Sequence, residues 1–226
     1  MSDIKKASRP GRPKGQQSEA RQKRILDMAE KLFAENGFHA VTLRQVAAAA
    51  KVDTALLHYY FKHKRGLFDT VFQRRSAELN ADRMAALDAY ESSTTSPTVH
   101  GAIAAFIQPL KDKADSGDSG WRSFFAIVAM INNTPEIGGE IMSENFDPVV
   151  HRLLAVIRRV LPEARDEKLF WAYHCLSGGL TLILSQSGRL DRLSDQRCLS
   201  SDMSTAFDEL VDFAAAGFIA TCSGAD

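Results

Sequence analysis

Cysteine is scarce in this sequence, and its spacing excludes several kinds of site. The 226 residues contain three, Cys175, Cys198 and Cys222, with no Cys-x-x-Cys pair and no histidine pattern nearby. An odd, widely spaced set predicts neither a disulfide framework nor a zinc site. Cys175 falls within an apolar helical segment, where a packed side chain is a simpler interpretation than redox sensing or catalysis.

Long apolar runs and enzyme motifs are also lacking. The longest uninterrupted apolar run, residues 124–131, is far shorter than the roughly 20 residues of a membrane span. The sequence has no paired carboxylates, metal-ligand cluster, phosphate-binding loop or nucleophile with its base, so we expect no enzymatic activity, no cofactor and no metal. No apolar stretch follows the N-terminal cations as in an export signal, and we expect a cytoplasmic protein.

Charge is balanced overall but divided along the chain. The net charge is zero, yet residues 1–75 hold 16 Lys and Arg against 7 Asp and Glu, a net of +9, and the remainder holds 12 against 21, a net of −9. A basic N-terminal part is drawn to phosphate, whereas an acidic body avoids it. The division therefore favours a nucleic-acid partner for the N-terminal third.

The first twenty residues are predicted to be a basic arm. Residues 8–15 are rich in Pro, Gly and cations and lack apolar side chains to bury, so we expect residues 1–20 to be disordered. The segment resembles the Gly-Arg-Pro core of an AT-hook, which would place Arg12 in a narrow A/T-rich minor groove. A non-specific electrostatic arm is the alternative.

Residues 42–64 carry the pattern of two short helices joined by a tight turn. Thr42 and Gln45 form a capping box that starts the first helix, and a short break precedes a second N-cap. In the second helix Leu57 and Phe61 point inward. This spacing predicts a helix-turn-helix, although helical pairs that never bind DNA share it. The outward residues suited to base edges and phosphates are Thr54, Ala55, His58, Tyr59 and Lys62.

The surrounding sequence points to a known family. Residues 25–38 combine an apolar stripe at helical spacing with a terminal Gly37, and residues 57–68 continue the second short helix into a basic exit. With these motifs, residues 25–68 resemble the N-terminal domain of the TetR family of bacterial transcriptional regulators. The resemblance implies contacts with the DNA backbone and groove from Thr42 and Arg44, with bases from Thr54 and Ala55, and with phosphates from Tyr59, Tyr60 and Lys64.

Two positions depart from the family pattern. His58 stands where the family usually carries Tyr, and its imidazole can still donate to a phosphate. Lys51 stands where the family usually carries Gly after the second helix. If that turn needs a positive φ, a lysine there costs about 1 kcal/mol, which alters the turn without abolishing it.

The remainder of the chain reads as helical. Breaks rich in Ser, Gly, Asp and Pro separate helical segments predicted at 65–91, 98–114, 121–133, 136–160, 165–187 and 203–221. We therefore predict an all-α fold. A three-helix DNA-binding head with the helix-turn-helix takes residues 21–81, and a larger helical ligand-binding and dimerisation domain takes residues 82–226.

In TetR-like proteins the last two long helices pair with those of a second subunit. We assign to the core and the dimer seam the apolar residues Phe170, Trp171, Leu176, Leu180, Ile183, Phe207, Leu210, Val211, Ala214 and Phe218. Among them the interface residues are predicted to be Leu176, Leu180, Ile183, Phe207, Leu210 and Phe218. Gly178 and Gly179 inside a helix indicate either close approach of two backbones or a local kink.

The body also offers a candidate ligand pocket. Its predicted lining is Phe106, Trp121, Phe124, Phe125, Val128, Asn132, Phe146, Trp171 and His174, although aromatic stripes at helical spacing are usually ordinary core. Residues 167–217 resemble a TetR subgroup some of whose members answer to fatty acids or acyl thioesters. That resemblance fits an apolar pocket without identifying its ligand.

Together these features predict a homodimeric repressor. It would bind a palindromic double-stranded DNA operator through two heads and be released by a small apolar ligand. An architectural or non-specific DNA-binding protein is the alternative, and a specificity ratio near one over random DNA would favour it.

Overall fold

The computed structural model describes the backbone of residues 14–223 and the side chains of residues 17–223. This part of the chain contains ten α-helices and no strand, which confirms the all-α prediction. None of these helices is long and apolar enough to cross a membrane. The helices are α1 Lys14–Ala40, α2 Leu43–Ala50, α3 Thr54–Phe61, α4 Lys64–Ser93, α5 Val99–Asp115, α6 Ser119–Asn132, α7 Gly138–Val160, α8 Asp166–Ser185, α9 Arg189–Leu193 and α10 Met203–Cys222.

The head consists of α1, α2, α3 and the first turns of α4. Its core is built from the apolar stripe of α1 and the inward faces of the two short helices, with Phe33, Val46 and Leu57 almost fully buried. Gly37 breaks α1 at φ 76° and ψ 166°, and a short helical stretch follows it to Ala40. A β-carbon at Gly37 would lie 2.9 Å from the Met130 Sδ of α6, but this flexible side chain can move, so the positive φ is the main reason for glycine here.

The body is a bundle of α4 to α10. α4 packs on α5 and α7, α6 packs on α7 and α8, and α10 packs on α5 and α8. α4 is continuous from the head into the body, so the domain boundary expected between residues 81 and 82 falls within this helix. α1 also packs directly on α6, which gives the head a second contact with the body.

The structure differs from the predictions at the N-terminal arm and at one short helix. Residues 14–20, expected within a disordered arm, begin α1. Good helix formers follow Gly15, and the Ser18 hydroxyl lies 2.7 Å from the hydroxyl of Tyr60, which fixes this end of the helix on α3. The five-residue α9 was not predicted because it is too short to show a periodic pattern. Arg12 lies outside the described residues.

Candidate DNA-binding surface and effector cavity

The first helix of the helix-turn-helix begins at the predicted capping box. The backbone N–H of Gln45 donates to the Thr42 hydroxyl oxygen at 3.3 Å, and the Gln45 side-chain oxygen accepts from the Thr42 backbone N–H at 2.8 Å. Val46, Ala47 and Ala50 are buried against the rest of the head. Thr42 and the following surface of α2 therefore stay exposed beside α3.

The turn between α2 and α3 has the strain expected for a lysine in a glycine position. Lys51 adopts φ 53° and ψ 50°, and its backbone N–H donates to the carbonyls of Ala47 and Ala48. The Asp53 carboxylate then caps α3 by accepting from the backbone N–H of Ala55 at 2.8 Å. The left-handed turn is therefore kept despite its cost.

The surface of α3 presents polar groups to solvent. Leu57 and Phe61 are buried as predicted, while Tyr59 is 80% exposed. Asp53 is the one carboxylate between residues 42 and 64, and it is engaged as the N-cap. The predicted contact residues Thr42, Arg44, Ala55, His58, Tyr59 and Lys62 are exposed, and Thr54, Tyr60 and Lys64 are half-buried.

A tight turn closes α3. Lys62 adopts φ 63° and ψ −59°, and the His63 backbone N–H donates to the Phe61 carbonyl at 2.7 Å, which makes a γ-turn. Gly66 leaves room for this arrangement, since a β-carbon there would lie 2.4 Å from the Phe61 carbonyl oxygen. The turn directs the exposed Lys62 side chain away from the core.

Two predicted phosphate contacts already have partners within the protein. The Tyr60 hydroxyl pairs with Ser18, and the Lys64 ammonium donates to the carbonyls of Phe38 and His39 at 2.9 and 3.1 Å. Lys64 thereby ties the end of α1 to the start of α4. Its expected function as a phosphate clamp is supported less well than that of Tyr59.

A buried ion cluster joins the head to the body. The Glu30 carboxylate of α1, 2% exposed, accepts from Arg74 Nη2 at 2.8 Å and from Arg75 Nε at 3.1 Å. Arg75 also donates to Asp118, the N-cap of α6, at 2.9 Å. Arg74 donates to Asp27 at 2.7 Å. One cluster therefore contacts α1, α4 and α6.

The cluster changes the acidity of its outer carboxyl groups. The pKa of Asp118 is lowered by the backbone N–H of Gly120 and by its ion pair in the cluster. At Asp27 burial opposes ionisation, but hydrogen bonds from Lys23 and Arg74 outweigh it and lower the pKa. Both groups therefore favour the ionised form that holds the helices together.

A cavity lies inside the body between α4, α5, α6, α7 and α8. Its volume is about 40 Å³, which holds only a few water molecules, so a small-molecule ligand would have to push its walls apart. Most of its walls are apolar. The predicted pocket residues that line it are Phe106, Phe124, Phe125, Val128, Asn132 and Phe146.

Three predicted pocket residues lie elsewhere. Trp121 is buried near the start of α6, where its ring lies against Arg75 and Lys113. Trp171, 65% exposed, and His174 contact each other on the outside of α8. The expectation was wrong for these residues because helical spacing does not distinguish the two faces of a helix that is apolar nearly all round.

Sequence reasoning missed several residues of the cavity wall, and the charged one among them is Arg83 of α4. It is 4% exposed, its Nε donates to the Phe106 carbonyl at 3.2 Å, and its guanidinium lies 4.1 Å from the centre of the Phe106 ring. Burial lowers its pKa to about 10. The signal was present in the sequence, since Phe72, Leu79, Arg83 and Leu87 follow helical spacing and place a cation on a buried stripe.

The predicted interface residues mostly face the core of their own chain. Leu176, Phe207, Leu210 and Phe218 are buried within the subunit, and Leu180 and Ile183 are half-buried. This part of the interface prediction was therefore wrong. The large exposed apolar side chains on the other faces of α8 and α10 are Phe170, Trp171, Leu182, Phe213 and Ile219.

Small residues accompany this outer face of α8 and α10. Gly179 lies close to Leu210, where an added β-carbon would be 2.8 Å from Cδ1, so close helix approach explains this glycine. Gly178 and Gly217 instead have open space around them. Cys175 is exposed here, so its expected packing in the core was also wrong.

Comparisons with known proteins agree with this architecture. Residues 25–71 match the family described as bacterial regulatory proteins, tetR family, and residues 104–217 match the tetracyclin repressor-like C-terminal domain. The HTH-type transcriptional regulator BetI of Klebsiella pneumoniae is 22% identical over 181 residues, which cover 80% of this chain and 90% of that protein.

Solved structures share the fold. A TetR-like transcriptional regulator from Rhodococcus sp. RHA1 has a TM-score of 0.58 at 16% identity and covers 91% of this chain and 96% of its own. SmeT, the repressor of the Stenotrophomonas maltophilia multidrug efflux pump SmeDEF, has a TM-score of 0.57 at 19% identity and covers 88% and 90%. The chain therefore belongs to the TetR family, and it is a DNA-binding transcriptional regulator and not an enzyme.

Proposed function

We propose that this regulator is a homodimeric repressor that binds a palindromic operator and leaves it when a small molecule enters the body. The observation that carries the DNA part is the exposed face of α3, which has a protruding tyrosine and no free carboxylate. The name of the similar protein SmeT supports repression as the direction of control. Residues 21–81 would act as the DNA-binding unit and residues 82–226 as the effector and dimerisation unit.

The contacts follow from the order of residues along α3. Ala55 and Thr54 at its start are small enough to let the helix end enter the major groove. Tyr59 and Lys62 further along can donate to phosphates, and Arg44 from α2 adds a cation on the same side. His58 is exposed but its Nδ1 lies 3.1 Å from the Lys62 carbonyl, which leaves its Nε2 for DNA.

The outer face of α8 and α10 supports the dimer. Trp171 and Leu182 fall on one face of α8 at helical spacing, and Phe213 of α10, 75% exposed, lines the same groove as Trp171. Aromatic side chains exposed to this degree mark an interaction surface when they cluster. Gly178 and Gly217, which have open space above them, would let the helices of a second copy approach closely.

The cavity supports control by a small molecule. Its walls include α4, which continues into the head, and α6, which contacts α1 through the Glu30 cluster. A ligand that separates α4 from α6 would therefore move the head relative to the body. It would release DNA if it bound that conformation better than the DNA-bound one by a few kcal/mol.

The test is selection of bound sequences from a random duplex pool by the full-length protein. We expect one inverted repeat whose half-sites lie about ten base pairs apart, as two recognition helices on one face of DNA require. Tyr59→Ala should weaken binding to that repeat at least tenfold, and Lys31→Ala on an outer face of α1 should not. Binding that enriches no sequence and follows salt alone would favour the architectural alternative.

A further inference from the structure

The cavity holds a buried cation without an acidic partner. Arg83 is 4% exposed, and its only hydrogen bond among the described residues goes from Nε to the neutral carbonyl of Phe106. Every other arginine that is mostly buried here, such as Arg75, pairs with a carboxylate. A buried charge is costly unless a counter-charge or several hydrogen bonds compensate for it, so this arrangement is incomplete in the free protein.

The groups around Arg83 do not supply the missing anion. The nearest carboxylate on its own helix, Asp82, faces outward and pairs with Lys113 at 2.8 Å. Tyr173 is the one titratable group that acts on Arg83 electrostatically. Burial raises the pKa of Tyr173, so its phenol is neutral at pH 7 and is hydrogen-bonded to Ser177. The guanidinium itself stays protonated, since its pKa remains about 10.

The geometry leaves the charged end of Arg83 available to a ligand. Nε is occupied by the Phe106 carbonyl and one face of the guanidinium lies over the Phe106 ring, whereas the terminal nitrogens have no hydrogen bond with the described residues. Two terminal N–H groups in a plane match the two oxygens of a carboxylate. The remaining walls, which include Leu110, Phe124 and Leu184, offer apolar contact to the rest of a ligand.

We infer that the effector is an amphipathic carboxylate, whose anionic head pairs with Arg83 while its aliphatic tail enters the apolar cavity and pushes the walls apart. This inference deepens the proposed function and depends on it for the regulatory meaning, but not for the binding itself. It adds a charged head group to the small apolar ligand predicted from the sequence.

The first test compares three ligands that share one tail. Decanoate, decan-1-ol and decyltrimethylammonium are titrated by calorimetry into the DNA-free, full-length protein. We expect decanoate to bind at least tenfold more tightly than decanol and the cation to bind more weakly than either. Equal or tighter binding of decanol would overturn the inference, and so would failure of every straight-chain carboxylate from hexanoate to hexadecanoate to bind.

The second test removes the charge. Arg83→Met keeps the length of the side chain, and it should weaken decanoate binding at least tenfold while leaving decanol binding within about twofold. Arg83→Lys keeps a charge but loses the planar pair of donors. Its affinity for decanoate should lie between those of the unaltered protein and Arg83→Met. Arg192→Met, at an exposed arginine of α9 outside the cavity wall, is the matched control and should bind decanoate like the unaltered protein. Undiminished decanoate binding by Arg83→Met would contradict the inference.

The same proteins separate this inference from the proposed function. If decanoate binds through Arg83 and the operator complex persists, the binding site stands and control of DNA by this ligand fails. If an inverted repeat is bound but no carboxylate binds, the repressor proposal stands and the Arg83 inference fails.

Discussion

The ammonium of Lys64 lies 2.9 Å from the carbonyl oxygen of Phe38 and 4.6 Å from the centre of the Phe38 ring. The His39 carbonyl accepts from the same ammonium. Lys62, two residues earlier, has an exposed side chain that makes no hydrogen bond or ion pair with the described residues. One lysine therefore stabilises the head, and the other is available to DNA.

The two lysines should respond differently to substitution. Lys64→Met should lower the free energy of unfolding by about 1–2 kcal/mol, because it removes charge-assisted hydrogen bonds, and leave the salt dependence of operator binding unchanged. Lys62→Met should leave stability within about 0.5 kcal/mol and reduce the salt slope by about one. Urea denaturation and fluorescence anisotropy at several salt concentrations measure both. If Lys64→Met reduced the salt slope of operator binding as much as Lys62→Met, Lys64 would also be a phosphate contact.

Replacing the strained lysine of the turn should stabilise the head. Lys51 lies at φ 53°, a conformation that costs a residue with a β-carbon about 1–2 kcal/mol. Lys51→Gly should therefore raise the free energy of unfolding by up to about 1 kcal/mol, since the greater freedom of glycine in the unfolded chain offsets part of the gain. Lys51→Ala keeps the strain and should show no such gain. Thermal and urea denaturation of the two variants measure this difference in stability.

Loss of the buried charge at Glu30 should destabilise the protein strongly. Glu30→Gln keeps the shape of the side chain but leaves Arg74 and Arg75 facing a neutral group, which should cost about 3 kcal/mol. Glu35→Gln is the control, because Glu35 is exposed and its pair with Lys31 is long at 3.8 Å. It should change stability by less than about 0.5 kcal/mol in the same urea titration. Similar losses in both variants would show that the buried cluster stabilises the protein no more than the exposed pair does.

The cluster should also make stability fall in acid. The folded pKa values of Asp27 and Asp118 lie below their ordinary value of 3.8. Their contribution is therefore complete above about pH 5, begins to fall near the ordinary value, and is lost as the pH falls through the lower folded values. Between pH 5 and pH 3 the unaltered protein should lose more stability than the double variant Asp27→Asn and Asp118→Asn. An equal loss of stability in both proteins over this pH range would contradict the prediction.

A charge on the outer face of α10 should prevent dimerisation. Phe213→Glu places a carboxylate at a side chain that is 75% exposed in the single subunit and would be buried between two copies. We expect a monomer by light scattering and weaker operator binding. Met84→Glu, at a side chain that is 36% exposed on α4, is the control and should remain dimeric. A dimeric Phe213→Glu protein would place the interface elsewhere.

Most helix boundaries, apart from the start of α1 and the short α9, were predictable from sequence because their signals are local. Thr42 and Gln45 fixed the start of α2, and the segment expected at 98–114 is α5 at Val99–Asp115. The orientation of α8 and α10 was not predictable. Leu176 and Trp171 both fit an apolar stripe, and only the neighbouring helices decide which one is buried. The cavity was only partly predictable, because its wall is formed by side chains of five helices and only their packing decides which faces meet at Arg83.

α4 connects the head to the cavity as one unbroken helix. It is unbroken over 30 residues, so at about 1.5 Å per residue it is about 45 Å long, with Lys64 at the head and Arg83 about 28 Å away beside the cavity. A tilt of about 5° about one end of a rod of this length moves the other end by about 4 Å, more than the length of a hydrogen bond. If the proposed ligand displaced α4 at Arg83 while the Ser93 end stayed fixed, the Lys64 end would move further, and the recognition helices would leave their register with DNA.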